Sequence, residues 1–337
     1  MPSGRHSQRI VIAGASSLLG NEVKSLLEES LFATWDLRLV DEEDVAGTLT
    51  EAAGEAAFIQ RVEEDTFHGA KYAFLTGSTL FGKQCLVRAR EAGATVIDFS
   101  RATLSDPDAA PWFPKIAAIT GRSVAKNSKA FTVFSVGGIA LASLALTLRP
   151  LGLRRLTAVV NRPVSESGRE GIEELETQTS QLLSFQSVGQ QVFGVQAAFN
   201  LLPCFGAESR QDLRANLLEV RAEVSAALAD ATENAKVAVR LVHAPVFYGT
   251  TFSVCADLES GATNEEIVSA CRTAGFILVP STEPAPSNVT IAGETSIFLQ
   301  GPQPDPVVRD CWWFWGAGDN LRVPASNGCK LVEWLEA

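Results

Sequence analysis

The stretch Arg9-Ile10-Val11-Ile12-Ala13-Gly14-Ala15-Ser16-Ser17-Leu18-Leu19-Gly20 decides the fold. Its first five residues form a β-branched run that meets Gly14, and from Asn21 to Glu29 the apolar residues Val23, Leu26 and Leu27 fall at helical spacing. Strand, tight turn and helix therefore follow one another, as at the opening of a dinucleotide-binding unit. Gly14 and Gly20 hold the first and third glycine positions of a G-x-x-G-x-x-G turn, and Ser17 stands at the middle one. Glycine serves there because backbone amides must approach a pyrophosphate closely at a helix N-terminus. Gly14, Ser16, Ser17, Leu18, Leu19 and Gly20 are the expected cofactor contacts. The serine leaves two readings open: weakened binding, or a loop kept for folding alone.

Outward from that turn, a second strand, Leu37 to Val40, ends in Asp41, Glu42, Glu43 and Asp44. A ribose-binding acid belongs roughly 20 residues past the glycine turn, about where Asp41 lies. Carboxylates accept ribose hydroxyls and repel a 2′-phosphate, so any dinucleotide bound should be NAD in preference to NADP. Strands at Tyr72 to Leu75 and Thr95 to Asp98 alternate with a helix from Gly82 to Ala92, the rhythm of a parallel sheet covered by helices.

After Ser100 the pattern changes. A Pro-containing stretch, Asp106 to Pro114, leads to a helix-like run, Ile139 to Leu148, closed by Pro150. A domain boundary near 125 to 135 fits. Beyond it come a strand (Leu156 to Val160), two helices (Gly168 to Leu183, Gln211 to Leu228) and strands at Val237 to Val242 and Thr251 to Asp257. The expectation is an α/β chain. A Rossmann-type dinucleotide-binding domain covers 1–130 and takes in an amphipathic C-terminal helix at about 320–337. The second domain, 131–319, is α+β with a mainly antiparallel sheet.

Composition narrows the function classes. With 337 residues, 46% hydrophobic and 20% charged, the chain can build two cores. The net charge of −11, with no Lys/Arg-rich tract, argues against nucleic acid as a partner. The six cysteines, Cys85, Cys204, Cys255, Cys271, Cys311 and Cys329, are scattered without a C-x-x-C pair, so no metal site is expected. Met1 to Gln8 is short and polar, and no apolar run approaches the roughly 18 residues that span a bilayer. The expectation is a cytoplasmic protein with reduced thiols and no membrane association.

Several motifs in register resemble the aspartate-semialdehyde dehydrogenase family over nearly the whole chain. They are the glycine turn, Val96-Ile97-Asp98-Phe99-Ser100 with Asp106-Pro107-Asp108, Ala198-Phe199-Asn200-Leu201-Leu202-Pro203, Ala244-Pro245-Val246-Phe247-Tyr248-Gly249 and Asp319-Asn320-Leu321-Arg322. The resemblance implies a homodimer formed through the second domain, and it adds Gly77 and Asn320 to the cofactor contacts. It also implies reduction of an acyl-phosphate to an aldehyde through a cysteine thioester and a nicotinamide hydride.

The residues that such chemistry requires are replaced at the matching positions. Ser135 stands where the family has its cysteine, and an oxygen ester accepts hydride far less readily than a thioester. As a plain alternative, Ser135 caps the following helix. Thr250 stands at the catalytic histidine, His243 at the substrate-binding arginine, Arg162 at the glutamine and Leu104 at the phosphate-binding arginine. Arg101 could replace the last only if its loop slipped. The family's helical glutamate matches Glu219, near Arg214 and Arg221. The match extends to the Usg branch, which also lacks the cysteine and shares the segment Phe314-Trp315-Gly316-Ala317-Gly318-Asp319-Asn320-Leu321-Arg322.

Three functions compete. The first is a non-catalytic homodimeric paralogue that keeps the fold, with or without NAD, and takes a small-molecule ligand or protein partner. The second is an active NAD(P)-dependent oxidoreductase with relocated chemistry using Cys204, although Leu201-Leu202-Pro203-Cys204 reads as a buried apolar segment. The third is a structural subunit that binds no nucleotide at all.

Overall fold

The computed structural model describes residues 8–52, 55–121, 124–229, 236–259 and 261–337. The opening Met1 to Ser7 lies outside them. The chain forms two compact units. The first comprises Met1–Pro114, Val124–Phe134 and Pro324–Ala337, and the second Lys115–Ser123 and Ser135–Val323.

The first unit is built on a seven-stranded, wholly parallel sheet. Its order is Gln60–Arg61, Asp36–Asp41, Arg9–Ala13, Ala70–Leu75, Thr95–Asp98, Ala130–Val133, Ala110–Trp112. Alternate residues of Arg9–Ala13 feed different cores. Ile10 and Ile12 join the helix Leu18–Glu28, through Val23 and Leu27, while Val11 and Ala13 join the helix Thr79–Glu91, through Phe81, Cys85 and Ala89. A strand buried on both faces needs such a continuous apolar run. The C-terminal helix Arg322–Glu336 sets Ala325, Cys329, Leu331 and Val332 into the first of these cores, and the Trp112 indole donates to the Asn327 carbonyl at 2.8 Å.

The second unit carries a six-stranded mixed sheet in the order Lys236–His243, Arg155–Arg162, Thr250–Asp257, Cys311–Gly318, Phe298–Pro304, Ile277–Val279. The three inner pairings are antiparallel and the two outer ones parallel. One face, including Leu156, Ala158, Val160, Phe252, Val254 and Phe314, is buried. The helix Val136–Leu148 contacts this sheet and the helix Leu213–Leu228, and it is apolar all round, as suits a helix enclosed on every side. The opposite face leaves Val159 and Trp313 exposed. Among the described residues no helix is long and apolar enough to cross a membrane.

Candidate functional site

In the first unit the glycine turn closes against the end of the strand Ala70–Leu75. Gly14 has a φ of +93°, and a Cβ placed on it would lie 2.1 Å from the Gly77 backbone nitrogen. Only glycine fits there. Ser17, by contrast, holds the loop together through its side chain. The hydroxyl accepts from the Gly20 amide at 2.8 Å, capping the helix Leu18–Glu28, and donates to the Thr76 carbonyl at 3.0 Å.

Asp41 is buried beside this turn. Its carboxylate accepts the Ser16 amide at 2.7 Å and the Glu42 amide at 2.9 Å, so the acid at the end of the second strand faces the glycine loop. Next to it lies a cleft of about 860 Å³, lined by six carboxylates, from Asp41, Glu42, Glu43, Glu63, Glu64 and Asp65. The cleft also holds two guanidinium groups. Arg61 pairs with Glu63 at 2.9 Å, and Arg88 donates to the Val62 and Glu63 carbonyls. The wall is therefore predominantly anionic.

Arg101 also lies in this unit, at a φ of +70°, and its guanidinium donates to the Phe99 and Val133 carbonyls. Its fork is thus turned onto backbone. Leu104 occupies the same loop, half-buried, and supplies no charge.

In the second unit, Ser135 precedes the helix Val136–Leu148 as its N-cap. The hydroxyl accepts from the Gly138 amide at 3.1 Å and donates to Glu223 Oε2 at 2.6 Å, while the Ser135 amide donates to Glu223 Oε1 at 3.0 Å. Glu223 is fully buried. The contact ties the serine to a buried carboxylate as well as to the first turn of the helix. The glutamate that meets Ser135 is Glu223, not Glu219, which is half-buried and accepts the Asn216 side-chain amide at 3.4 Å. Glu219 and Glu223 lie one turn apart, so the sequence located the helix face and missed the member that reaches inward.

Arg162 and Thr250 share a partner that the sequence motifs did not single out. Glu166 accepts Arg162 Nε at 2.7 Å through one carboxylate oxygen and the Thr250 hydroxyl at 2.8 Å through the other. Arg162 donates further to the Glu166 carbonyl and the Ser167 hydroxyl. His243 pairs with Arg162 in the strand register and is fully buried between Phe193 and Phe205, at ring distances of 4.7 and 5.1 Å. Among the described residues neither imidazole nitrogen has a hydrogen-bond partner. Burial, reinforced by the Arg162 charge, pulls its pKa down to about 4, so the ring is neutral near pH 7.

Asn320 is also engaged within this unit. Its side-chain oxygen accepts the Gly249 amide at 2.8 Å and its amide donates to the Ser165 hydroxyl at 3.0 Å. The neighbouring Asp319 caps the C-terminal helix by accepting the Leu321 and Arg322 amides.

Residues 145–323 match the semialdehyde dehydrogenase dimerisation domain. A USG-1 protein homolog of Pseudomonas aeruginosa is 31% identical over 331 residues, covering 96% of both chains. The chain belongs to the aspartate-semialdehyde dehydrogenase family. An aspartate-semialdehyde dehydrogenase of Aquifex aeolicus is 25% identical over 97% of both chains. A solved structure of a probable aspartate-semialdehyde dehydrogenase from Pseudomonas aeruginosa superposes with a TM-score of 0.87 at 27% identity, over 98% of each chain. The family is NAD(P)-dependent, and its dimerisation domain falls on the second unit.

One expectation about this family member is corrected. Cys204 is exposed rather than buried: Leu202 takes the inward position through a bridge to His243, and Pro203 and Cys204 turn outward. Cys204 is therefore an accessible thiol on a loop.

Proposed function

We propose that this chain is a non-catalytic homodimer of the aspartate-semialdehyde dehydrogenase family that binds NAD in preference to NADP. The observation that carries the reading is the commitment of Ser135. Its hydroxyl spans the Gly138 amide and the buried Glu223 carboxylate at the position where the family places its thiolate. Hydride transfer to an acyl-enzyme needs a thioester, and a capped serine supplies neither the nucleophile nor the leaving sulfur. Thr250 is no general base near neutral pH, and Glu166 ties it to the Arg162 guanidinium. His243, at the family's substrate-binding arginine, is a neutral ring enclosed by phenylalanines and offers a substrate carboxylate no charge.

Asp41 supports the cofactor preference. Its carboxylate faces the glycine loop, where it can accept ribose hydroxyls, and the adjoining carboxylates would oppose a 2′-phosphate of nearly two negative charges. Repulsion of ~1.4 kcal/mol in such a partly exposed place amounts to about tenfold in affinity. Parallel calorimetric titrations should find NAD binding about tenfold or more tightly than NADP, with the gap narrowed in Asp41→Ser. Equal or tighter NADP binding by the unmodified protein would refute the assignment of this loop.

The match to a dimerisation domain and the exposed Val159 and Trp313 on one sheet face support a homodimer through the second unit. Light scattering at micromolar concentration should give about twice the 36.0 kDa chain mass, and a monomer would count against this. A second reading, an active oxidoreductase, gains from the exposure of Cys204. It requires turnover that Cys204→Ser abolishes.

A further inference from the structure

The strand Lys236–His243 is an outermost member of the mixed sheet, paired along its length only with Arg155–Arg162. Two bonds show where its backbone groups point. The Ala244 amide donates to the Arg162 carbonyl and the Lys236 amide to the Arg154 carbonyl, so the even-numbered residues face the neighbouring strand. Val237, Val239, Leu241 and His243 therefore turn their N–H and C=O groups outward. His243 exchanges both of its groups with Leu202, at 2.9 and 3.0 Å, in an antiparallel bridge. Among the described residues the outward groups of Val237, Val239 and Leu241 have no partner. The edge thus accepts one antiparallel residue and lies open beyond it.

A groove runs beside those three residues. The preceding helix, Leu213–Leu228, carries Arg214, Leu218, Arg221, Ser225 and Leu228 at steps of four, three, four and three, so they form one stripe along its flank. Leu218 is exposed, and the stripe holds no acidic residue. Arg221, Ser225 and Leu228, with Val224, Val237 and Val239, line a cavity of about 300 Å³ between the helix and the strand. Neither Arg214 nor Arg221 has a side-chain hydrogen bond or ion pair among the described residues, in a chain whose net charge is −11. The groove lies away from the sheet face given to the homodimer. Val159 stands opposite Arg240 in the register, so that face carries the even-numbered residues of the strand, while Val237 and Val239 point to the side covered by the helix.

We propose that this groove binds an acidic, extended peptide segment of a partner protein, which joins the sheet as an antiparallel strand beside Lys236–His243. The peptide exchanges backbone hydrogen bonds with Val237, Val239 and Leu241, as Leu202 does with His243. One apolar side chain of the peptide fills the cavity, and a carboxylate two residues along, on the same face of the added strand, meets Arg221. An open strand edge is a template for pairing with another chain, so main-chain bonds supply affinity. The pocket and the unpaired guanidinium groups supply the preference for an apolar residue flanked by acids.

The test uses the full chain and a fluorescein-labelled peptide, Thr-Glu-Thr-Leu-Thr-Glu-Thr, whose leucine and glutamates fall on one face of a strand. Fluorescence anisotropy should give saturable binding with a dissociation constant below about 1 mM. Amide hydrogen exchange at Val237, Val239 and Leu241 should slow as the peptide saturates. N-methylation of the leucine removes one backbone donor and should weaken binding about fivefold or more. The same peptide with lysine in place of both glutamates should not bind. Arg221→Glu, on the exposed helix flank, should weaken binding about fivefold or more. Val239→Pro, whose missing N–H faces outward, should abolish binding while keeping the pairing to Arg155–Arg162. If Val239→Pro unfolds, Arg221→Glu decides. No binding below about 1 mM, or binding indifferent to N-methylation and to Arg221→Glu, would overturn the assignment. So would slow exchange of those three amides in the peptide-free protein that fades on dilution, since a second copy of the chain would then hold the edge.

Discussion

Gly14→Ala should destabilise the protein by roughly 2 to 6 kcal/mol, or prevent its soluble expression. Two costs combine at this position. The backbone sits at a φ of +93°, where a side chain is strained by about 1 to 3 kcal/mol, and the added methyl would lie 2.1 Å from the Gly77 nitrogen. That neighbour is backbone, so no rotamer change relieves the overlap. The loop would have to separate from the end of the strand Ala70–Leu75, at about 1 to 3 kcal/mol more. A domain stable by about 5 to 15 kcal/mol loses a large part of its margin. Ser17→Gly, which restores the full glycine pattern, should cost only about 1 kcal/mol, because glycine is itself an acceptable cap and the main loss is the hydroxyl bond to the Thr76 carbonyl. Urea unfolding of both variants checks the contrast. A Gly14→Ala protein within about 1 kcal/mol of the parent would show that the turn is not closed on Gly77.

The second large effect is a loss of stability in mild acid. His243 has a folded pKa near 4 against an ordinary value of 6.5, because burial and the Arg162 charge disfavour the imidazolium. The unfolded chain therefore binds a proton at His243 that the folded chain refuses. The stability this group supplies is complete above pH 6.5 and is lost as the pH falls from 6.5 towards 4. The loss integrates to about 3 kcal/mol, at ~1.4 kcal/mol for each unit of displacement. His243→Leu has nothing to protonate and removes a ring whose two nitrogens are both unpartnered. It should flatten the profile between pH 6.5 and 4.5 and should be at least as stable as the parent at pH 7. Urea midpoints across that range decide the matter, and an unchanged acid slope in His243→Leu would contradict the assignment.

Much of the fold was legible because both-sided burial leaves a strong mark. Arg9–Ala13, Ala70–Leu75 and Thr95–Asp98 are short, largely apolar runs, and each of them is a strand of the parallel sheet. The hairpin Leu49–Ala52 with Glu55–Phe58 escaped notice because its alanines and glutamates carry little strand preference. The helix Asn264–Thr273 went unread although Thr263 and Glu266 form a capping box, a signal present in the sequence.

At the candidate site, the motifs located Ser135, Arg162, His243 and Thr250 but not what holds them. Glu166 lies four residues from Arg162 across a short 3₁₀ turn, and Glu223 reaches Ser135 from 88 residues away. The pairing across 88 residues leaves no local pattern, whereas the i,i+4 pair of Arg162 and Glu166 could be read in the sequence. The same absence of a local pattern made Cys204 look buried, since the inward turn of Leu202 and the outward turn of Cys204 depend on the bridge to His243.

The central claim is that the family's chemistry is absent from this chain. Purified protein at micromolar concentration, supplied with aspartate semialdehyde, inorganic phosphate and NAD or NADP, should form reduced nicotinamide no faster than the enzyme-free blank, because no thiolate stands at the entry to the helix Val136–Leu148. Phosphate-dependent turnover above that blank, lost on Ser135→Ala or on Cys204→Ser, would contradict the account and name the residue that carries the reaction.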